Sequence, residues 1–197
     1  HSGSVTTLYV YNWGEYMSDG SEGSLDSNAA FEEWYYRTYG ERVKVTYSTF
    51  SSNEDMYAKL SAGAVSYDVI VPSDYMIERL IKEDMLAPLD YANIPNIGNI
   101  LEDFYGENAK YDYYDKGNVY SVPYFYGMIG IIYNTTMVDA DDPSLGSWKL
   151  MWDEKHAGNI LQFNNSRDAF GSAQYFLGLD VNSDREADWR MALEKLK

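Results

Sequence analysis

Residues 68–80, DVIVPSDYMIERL, constrain the fold more than any other stretch. Asp68-Val-Ile-Val71 is a short apolar run bounded by turn formers, the pattern of a buried strand in a parallel sheet. Pro72 ends it, because proline has no N–H to give to a ladder. Ser73 stands where a helix cap is needed, and Met76, Ile77, Leu80 and Ile81 recur behind it at helical spacing. A strand that passes into a helix through Pro-Ser-Asp-Tyr puts Ser73, Asp74 and Tyr75 at a strand's carboxyl end. Ligands of open α/β sheets bind along that edge.

The preceding chain repeats this unit. A strand is expected over 7–11 (TLYVY), running into Asn12-Trp-Gly-Glu-Tyr16, a turn-prone segment with two large aromatics and a carboxylate. Residues 18–28 are polar and read as a loop. Ser27 or Asn28 can cap a helix over 29–38 with Phe31, Trp34 and Tyr35 on its apolar face, and Gly40 stops it. The alternation in 42–49, RVKVTYST, predicts a second strand. Ser52-Asn53 then caps a helix through 62, with Met56, Tyr57 and Leu60 inward. The order β-α-β-α-β-α predicts an α/β fold with a parallel, doubly wound sheet.

Residues 90–116 lack regular pattern and read as a surface excursion with one helical turn near 100–104. Past it, 119–134, VYSVPYFYGMIGIIYN, predicts an extended piece, a Pro-aromatic-Gly corner and an apolar strand over 128–133. A short helix over 147–152, a strand over 160–163, a polar turn over 164–168 and a helix over 169–177 follow. Another amphipathic helix begins at 188. A second α/β unit is thus entered without its closing strands, as expected of a fragment.

Composition narrows the function classes. A formal net charge of −16 works against nucleic acid, whose phosphates need Lys and Arg, and against anionic membrane surfaces. It permits a cationic ligand, although solubility alone accounts for acidity equally well. With no Cys there is no disulfide, thiol nucleophile or thiolate metal site. No apolar run approaches the ~20 residues that span a bilayer. His1-Ser-Gly-Ser4 reads as the scar of a cleaved tag. GxGxxG and GxxxxGK[ST] are absent, and the two His residues sit in no catalytic motif.

Five segments in order carry a resemblance: LYVYNWGEY (8–16), VTYSTFSSNEDMYAKL (45–60), YDVIVPSDYMIERL (67–80), YSVPYFYGMIGIIYN (120–134) and NNSRDAF (164–170). Together they resemble the spermidine/putrescine-binding proteins of ABC transporters. The resemblance implies a periplasmic-binding-protein-like type II fold: two lobes with doubly wound sheets around a ligand cleft, the second lobe incomplete in this chain. It implies lobe 1 over 5–122, partial lobe 2 over 123–197, and a later part of the chain that completes both. It further implies an extracytoplasmic receptor, periplasmic or lipid-anchored, which is monomeric when full length. Such a receptor hands a polyamine to a membrane permease, needs no cofactor or metal, and does no chemistry.

The same resemblance marks the ligand contacts. Trp13 and Tyr16 match positions that wall the ligand, with ordinary packing near a strand end as the other reading. Glu15 can add charge or be a solvated turn carboxylate, and Gly14 stands where the family commonly has Ser or Thr. Ser73 and Tyr75 match the polar and aromatic pair of the first lobe. Ser73 can also serve as a cap, and Asp74 fits a first-turn residue favoured by the helix dipole. In the second lobe Asp168 falls at an acidic contact, and Asn165 occupies a position often held by Asp. Arg167 beside Asp168 can pair with it, while Tyr124 and Tyr126 fit packing at the crossover. Aromatic faces along methylenes and carboxylates at the ammonium groups suit a linear polyamine. Two alternatives remain open at this point. One is a same-fold receptor for another solute such as ferric iron, using tyrosine pairs like Tyr35-Tyr36 or Tyr113-Tyr114. The other is a glycosidase with paired carboxylates.

Overall fold

In a computed structural model, which describes residues 4–63 and 65–197, the first half of the chain forms a three-stranded parallel sheet with helices. Most of the tag-like segment 1–4 lies outside the described residues. Strand β1 (Thr6–Trp13) pairs along its whole length with β2 (Val43–Phe50), from Thr6 opposite Val43 to Trp13 opposite Phe50. Strand β3 (Val69–Ile70) pairs on the other side of β1, giving the order β2-β1-β3. Its short span has a local cause. Asp68 turns its carboxylate to the Tyr9 N–H at 2.7 Å, and Pro72 has no N–H. Backbone bonds from Asp68 to Tyr9 and from Val71 to Tyr11 carry the pairing one residue further each way.

Helix α1 (Ser27–Tyr39) lies between β1 and β2 in the chain, α2 (Asn53–Ser61) between β2 and β3, and α3 (Asp74–Lys82) follows β3. The cap of α1 is Asp26, one residue before the expected Ser27, because its carboxylate accepts from the Ala29 N–H at 2.9 Å. Gly40 closes α1 at φ 72°, a left-handed turn that favours glycine. Ser52 caps α2 through the Asp55 N–H. Right-handed crossovers in a sheet ordered 2-1-3 put α1 on one face and α2 on the other. The core is on the α2 and α3 face, where Tyr11, Phe50, Met56, Met76 and Leu80 form one buried cluster. Tyr11 anchors it, edge-on to Phe50 at 5.0 Å and stacked on Tyr67 at 4.4 Å.

The irregular stretch after α3 is ordered by carboxylates rather than by a ladder. Asp115, almost fully buried, accepts from the Val119 and Tyr120 N–H groups and from the Ser121 hydroxyl at 2.7–3.0 Å. Asp112 does the same for Gly117 N and Lys116 Nζ, and Leu89 N bonds Val119 O at 2.8 Å. Asn118 takes φ 53° between them, and its carbonyl accepts from the Tyr91 hydroxyl.

The chain divides into two compact units, His1–Tyr126 and Gly127–Lys197. The second is helical: α4 (Ser166–Leu177) and α5 (Glu186–Leu196) pack together, with Ala173 and Ala192 fully buried. Trp189 packs on Phe170 at 5.4 Å, and Trp152 packs on Phe176 at 4.8 Å while its indole donates to Lys195 O. The strands expected over 128–133 and 160–163 do not form. A strand is completed by a neighbour's donors and acceptors, and among the described residues neither run has one. Ile132 and Leu161 are accordingly exposed despite their strand-like sequence.

Candidate functional site

The topology fixes where a site can form. From β1 the chain leaves toward β2, and β3 lies on β1's other side, so the carboxyl ends of β1 and β3 flank a switch point. The residues just past those ends are Trp13–Tyr16 and Ser73–Tyr75.

Trp13 is the last residue of β1, and its ring packs on Phe50 at 4.6 Å. Its backbone is held from both sides: the N–H donates to Asn12 Oδ1 at 2.7 Å, and the carbonyl accepts from the Tyr47 hydroxyl at 3.4 Å. Tyr16 lies 6.3 Å from the Trp13 ring, meets Phe125 edge-on at 5.2 Å, and receives the Tyr124 hydroxyl on its carbonyl at 2.7 Å. Glu15 is exposed between them at φ 61°, a left-handed conformation that costs a non-glycine residue about 1 kcal/mol. A groove of about 820 Å³ opens beside Trp13 and Gly14, against Tyr11 and Phe50 and between Asp55 and Lys59. Lys59 places its ammonium 5.2 Å from the Tyr11 ring centre, an internal cation on an aromatic face.

Ser73 and Tyr75 do not line that groove, although Tyr75 and Trp13 pack against the same buried cluster. Ser73 has the backbone of an N-cap, yet its hydroxyl caps nothing. It meets Asn53 Nδ2 at 3.0 Å instead, and the same nitrogen donates to the Tyr75 hydroxyl at 2.8 Å. Asp74 accepts from the Tyr75 N–H with one oxygen and from the Tyr113 hydroxyl with the other. That bond to Asp74 pushes the Tyr113 phenol up to about 12. Trp13, Glu15 and Tyr16 thus lie at the end of β1, and Ser73 and Tyr75 after the end of β3, at the same end of the parallel sheet, while the Tyr124 hydroxyl bonds the Tyr16 carbonyl and Tyr126 packs on Phe104 at 5.0 Å.

In the second unit Asn165 and Asp168 stand at the start of α4. Asn165 is its N-cap, with Oδ1 accepting from Arg167 N at 3.0 Å and Asp168 N at 3.4 Å. Its oxygen is thus engaged by the backbone of the helix's first turn. Asp168 is half-buried, and burial pushes its carboxyl above the usual range. A cation beside it would reverse that shift. Asp142, Asp153 and His156 also converge in this unit, with ligand-type atoms within 4.8 Å of one another. Lys155 already bonds Asp142 and reaches Asp153 Oδ2 at 3.3 Å, holding the Asp142 carboxyl below its ordinary value. A lysine thus balances the charge that a metal would otherwise neutralise.

Sequence reasoning missed Asn53 as a partner of Ser73 and Tyr75. The available signal was its place on the inward stripe of α2 with Met56 and Leu60, where a polar residue must find bonds.

Residues 28–197 match the family model described as bacterial extracellular solute-binding protein. The chain belongs to that family. The Escherichia coli (strain K12) spermidine/putrescine-binding periplasmic protein is 34% identical over 201 residues, covering all of this chain and 51% of the relative. Among solved structures, the spermidine/putrescine ABC transporter substrate-binding protein PotD of Streptococcus pneumoniae is 34% identical with a TM-score of 0.67. That match covers 96% of this chain and 53% of the other. The TpPotD lipoprotein of Treponema pallidum is 31% identical with a TM-score of 0.73, over 94% and 52% of the two chains. This solute-binding protein chain therefore spans about half the length of the relatives it matches. Its sheet and helices are part of the type II fold of those proteins. Among the described residues no helix is long and apolar enough to cross a membrane.

Proposed function

We propose that the protein is an extracytoplasmic receptor that captures a polyamine, spermidine or putrescine, between two lobes and delivers it to an ABC permease. The lobes would be 5–122 and 123–197, both completed by a later part of the full-length protein. The observation that supports this most is the placement of Trp13, Glu15 and Tyr16 after β1 and of Ser73 and Tyr75 after β3, at one end of the sheet beside the switch point. Trp13 and Tyr16 would wall the methylene chain, since an aromatic face attracts an ammonium by ~0.5–2 kcal/mol. Ser73 and Tyr75 would offer hydroxyl oxygens to one end. Asp168, and Asn165 through its amide, would serve the second lobe's end, where a carboxylate raised by burial gains most from an arriving cation. Closure follows if the ligand binds both lobes and so favours the closed form.

The role is one of binding, not catalysis. The relatives are named as binding proteins, which supports it. A titration of the full-length protein with spermidine and with ferric citrate, read by tryptophan fluorescence, tests the reading. A saturable change with spermidine and none with ferric citrate is expected. The opposite result would favour the iron receptor.

A further inference from the structure

Asn53 occupies the first position of α2, directly after the Ser52 cap, and no part of it is exposed. Because Ser52 holds the helix start, the Asn53 side chain is not needed there. It reaches 20 residues along the chain to the turn after β3. Its Oδ1 accepts from the Ser73 backbone N–H at 3.0 Å. A backbone N–H can only donate, so the amide's orientation is fixed, and Nδ2 faces Ser73 Oγ at 3.0 Å and Tyr75 Oη at 2.8 Å. A primary amide has two N–H donors, one for each hydroxyl. Both hydroxyl oxygens are therefore acceptors toward Asn53, and each must direct its own proton elsewhere. Tyr75 directs its proton to Glu54 Oε1 at 3.1 Å.

We infer that Asn53 is a positioning residue for the ligand site: it sets the place of the Ser73 and Tyr75 hydroxyls and, with Glu54 taking the phenolic proton, fixes the Tyr75 oxygen as an acceptor toward an ammonium donor. The inference rests on the reading of Ser73 and Tyr75 as ligand contacts. A hydroxyl that is free to rotate can meet an N–H donor with its own proton, which repels it. An oxygen whose proton is already committed cannot. Asn53 touches no ligand in this arrangement and acts only through the two oxygens it binds. The burial of its three bonds makes them costly to lose, so the polarity persists while the cleft is open. The sites of Asn53, Ser73 and Tyr75 all lie within the first unit, so the device is independent of closure.

The test is a thermodynamic cycle on the full-length protein, with spermidine affinity read by calorimetry. Asn53→Ala is made alone and in a Ser73→Ala/Tyr75→Phe background. Expected is a loss of roughly tenfold from Asn53→Ala alone and less than about twofold in the background lacking both hydroxyls. A purely structural role would weaken both backgrounds alike. An undiminished loss in a weakened Ser73→Ala/Tyr75→Phe protein overturns the role of Asn53 alone. Wild-type affinity in Ser73→Ala/Tyr75→Phe overturns the reading of the site, and the inference with it. If Asn53→Ala does not fold, the wild-type protein supplies the readout by NMR. The Asn53 side-chain amide protons should exchange slowly and shift when spermidine is added, and unchanged shifts at saturation would overturn the inference.

Discussion

The Tyr113 hydroxyl donates to Asp74 Oδ2 at 2.5 Å, across 39 residues, while the other Asp74 oxygen accepts from Tyr75 N at 2.7 Å. One carboxylate thus ties the Asp-rich excursion to the first turn of α3, beside the candidate ligand edge. The bond raises Tyr113 above its unfolded value of 10.0 to about 12. For a raised pKa, the stabilisation is complete below the unfolded value and is lost as pH climbs through the folded one. Between about pH 10 and 12, Tyr113→Phe should therefore lose less stability than the wild type. At neutral pH the substitution should cost only about 0.5–1 kcal/mol, because the ring is largely exposed. Urea unfolding at several pH values, with tyrosinate absorbance of the two proteins compared, checks both parts.

Asp115 closes the turn at residues 115–121 with three bonds and is almost fully buried. Asp115→Ala leaves two backbone N–H groups without their acceptor. Expected is a loss of about 2–3 kcal/mol in urea unfolding, with faster hydrogen exchange at Val119 and Tyr120. Unchanged exchange at those two amides would show that the turn is held by other means.

Leu80 has no exposed surface and lies in the cluster that carries Trp13 and Tyr75 on its border. Leu80→Ala should destabilise the first unit by about 2–5 kcal/mol through lost burial and the cavity left behind. Calorimetric unfolding measures it, and the spread depends on how far Met56 and Met76 can fill the space.

Much of the first unit was legible from residues alone, and the reasons are local. The apolar run at 68–71 with Pro72 behind it, the alternation in 42–49 and Gly40 each act within a few residues of themselves. The long strand at Thr6–Trp13 ran two residues past its expected end because β2 pairs with it as far as Phe50. The runs at 128–133 and 160–163 have the composition of strands, but composition does not supply a neighbour. The excursion over 90–116 looked patternless because its order comes from aspartate side chains, which leave no periodicity. At the candidate site, the resemblance pointed to Trp13, Tyr16, Ser73, Tyr75 and Asp168. It did not reveal that Ser73 withholds its hydroxyl from capping, or that Asn165 commits its oxygen to α4. Both facts depend on bonds that sequence spacing alone does not choose between.

Asp168 gives the proposed binding its pH dependence. Burial raises its carboxyl, so the free protein holds that proton to a higher pH than an unfolded chain would. Stability linked to this group is complete below the unfolded value and falls as pH rises through the folded one. Polyamine binding needs the ionised form and should strengthen over the same rise, with proton release on binding inside that window. Asp168→Asn should weaken binding and flatten the pH profile. Calorimetry in buffers of different ionisation enthalpy detects the released proton.

The most direct test of polyamine capture is calorimetric titration of the full-length protein with putrescine and spermidine, beside Trp13→Ala and Asp168→Ala. Each variant should lose about 1.5–3 kcal/mol of binding free energy, and Asp168→Ala should do so with a melting temperature near that of the wild type, whereas Trp13→Ala also lowers it through lost packing on Phe50. Wild-type affinity in both variants would contradict the assignment of the site.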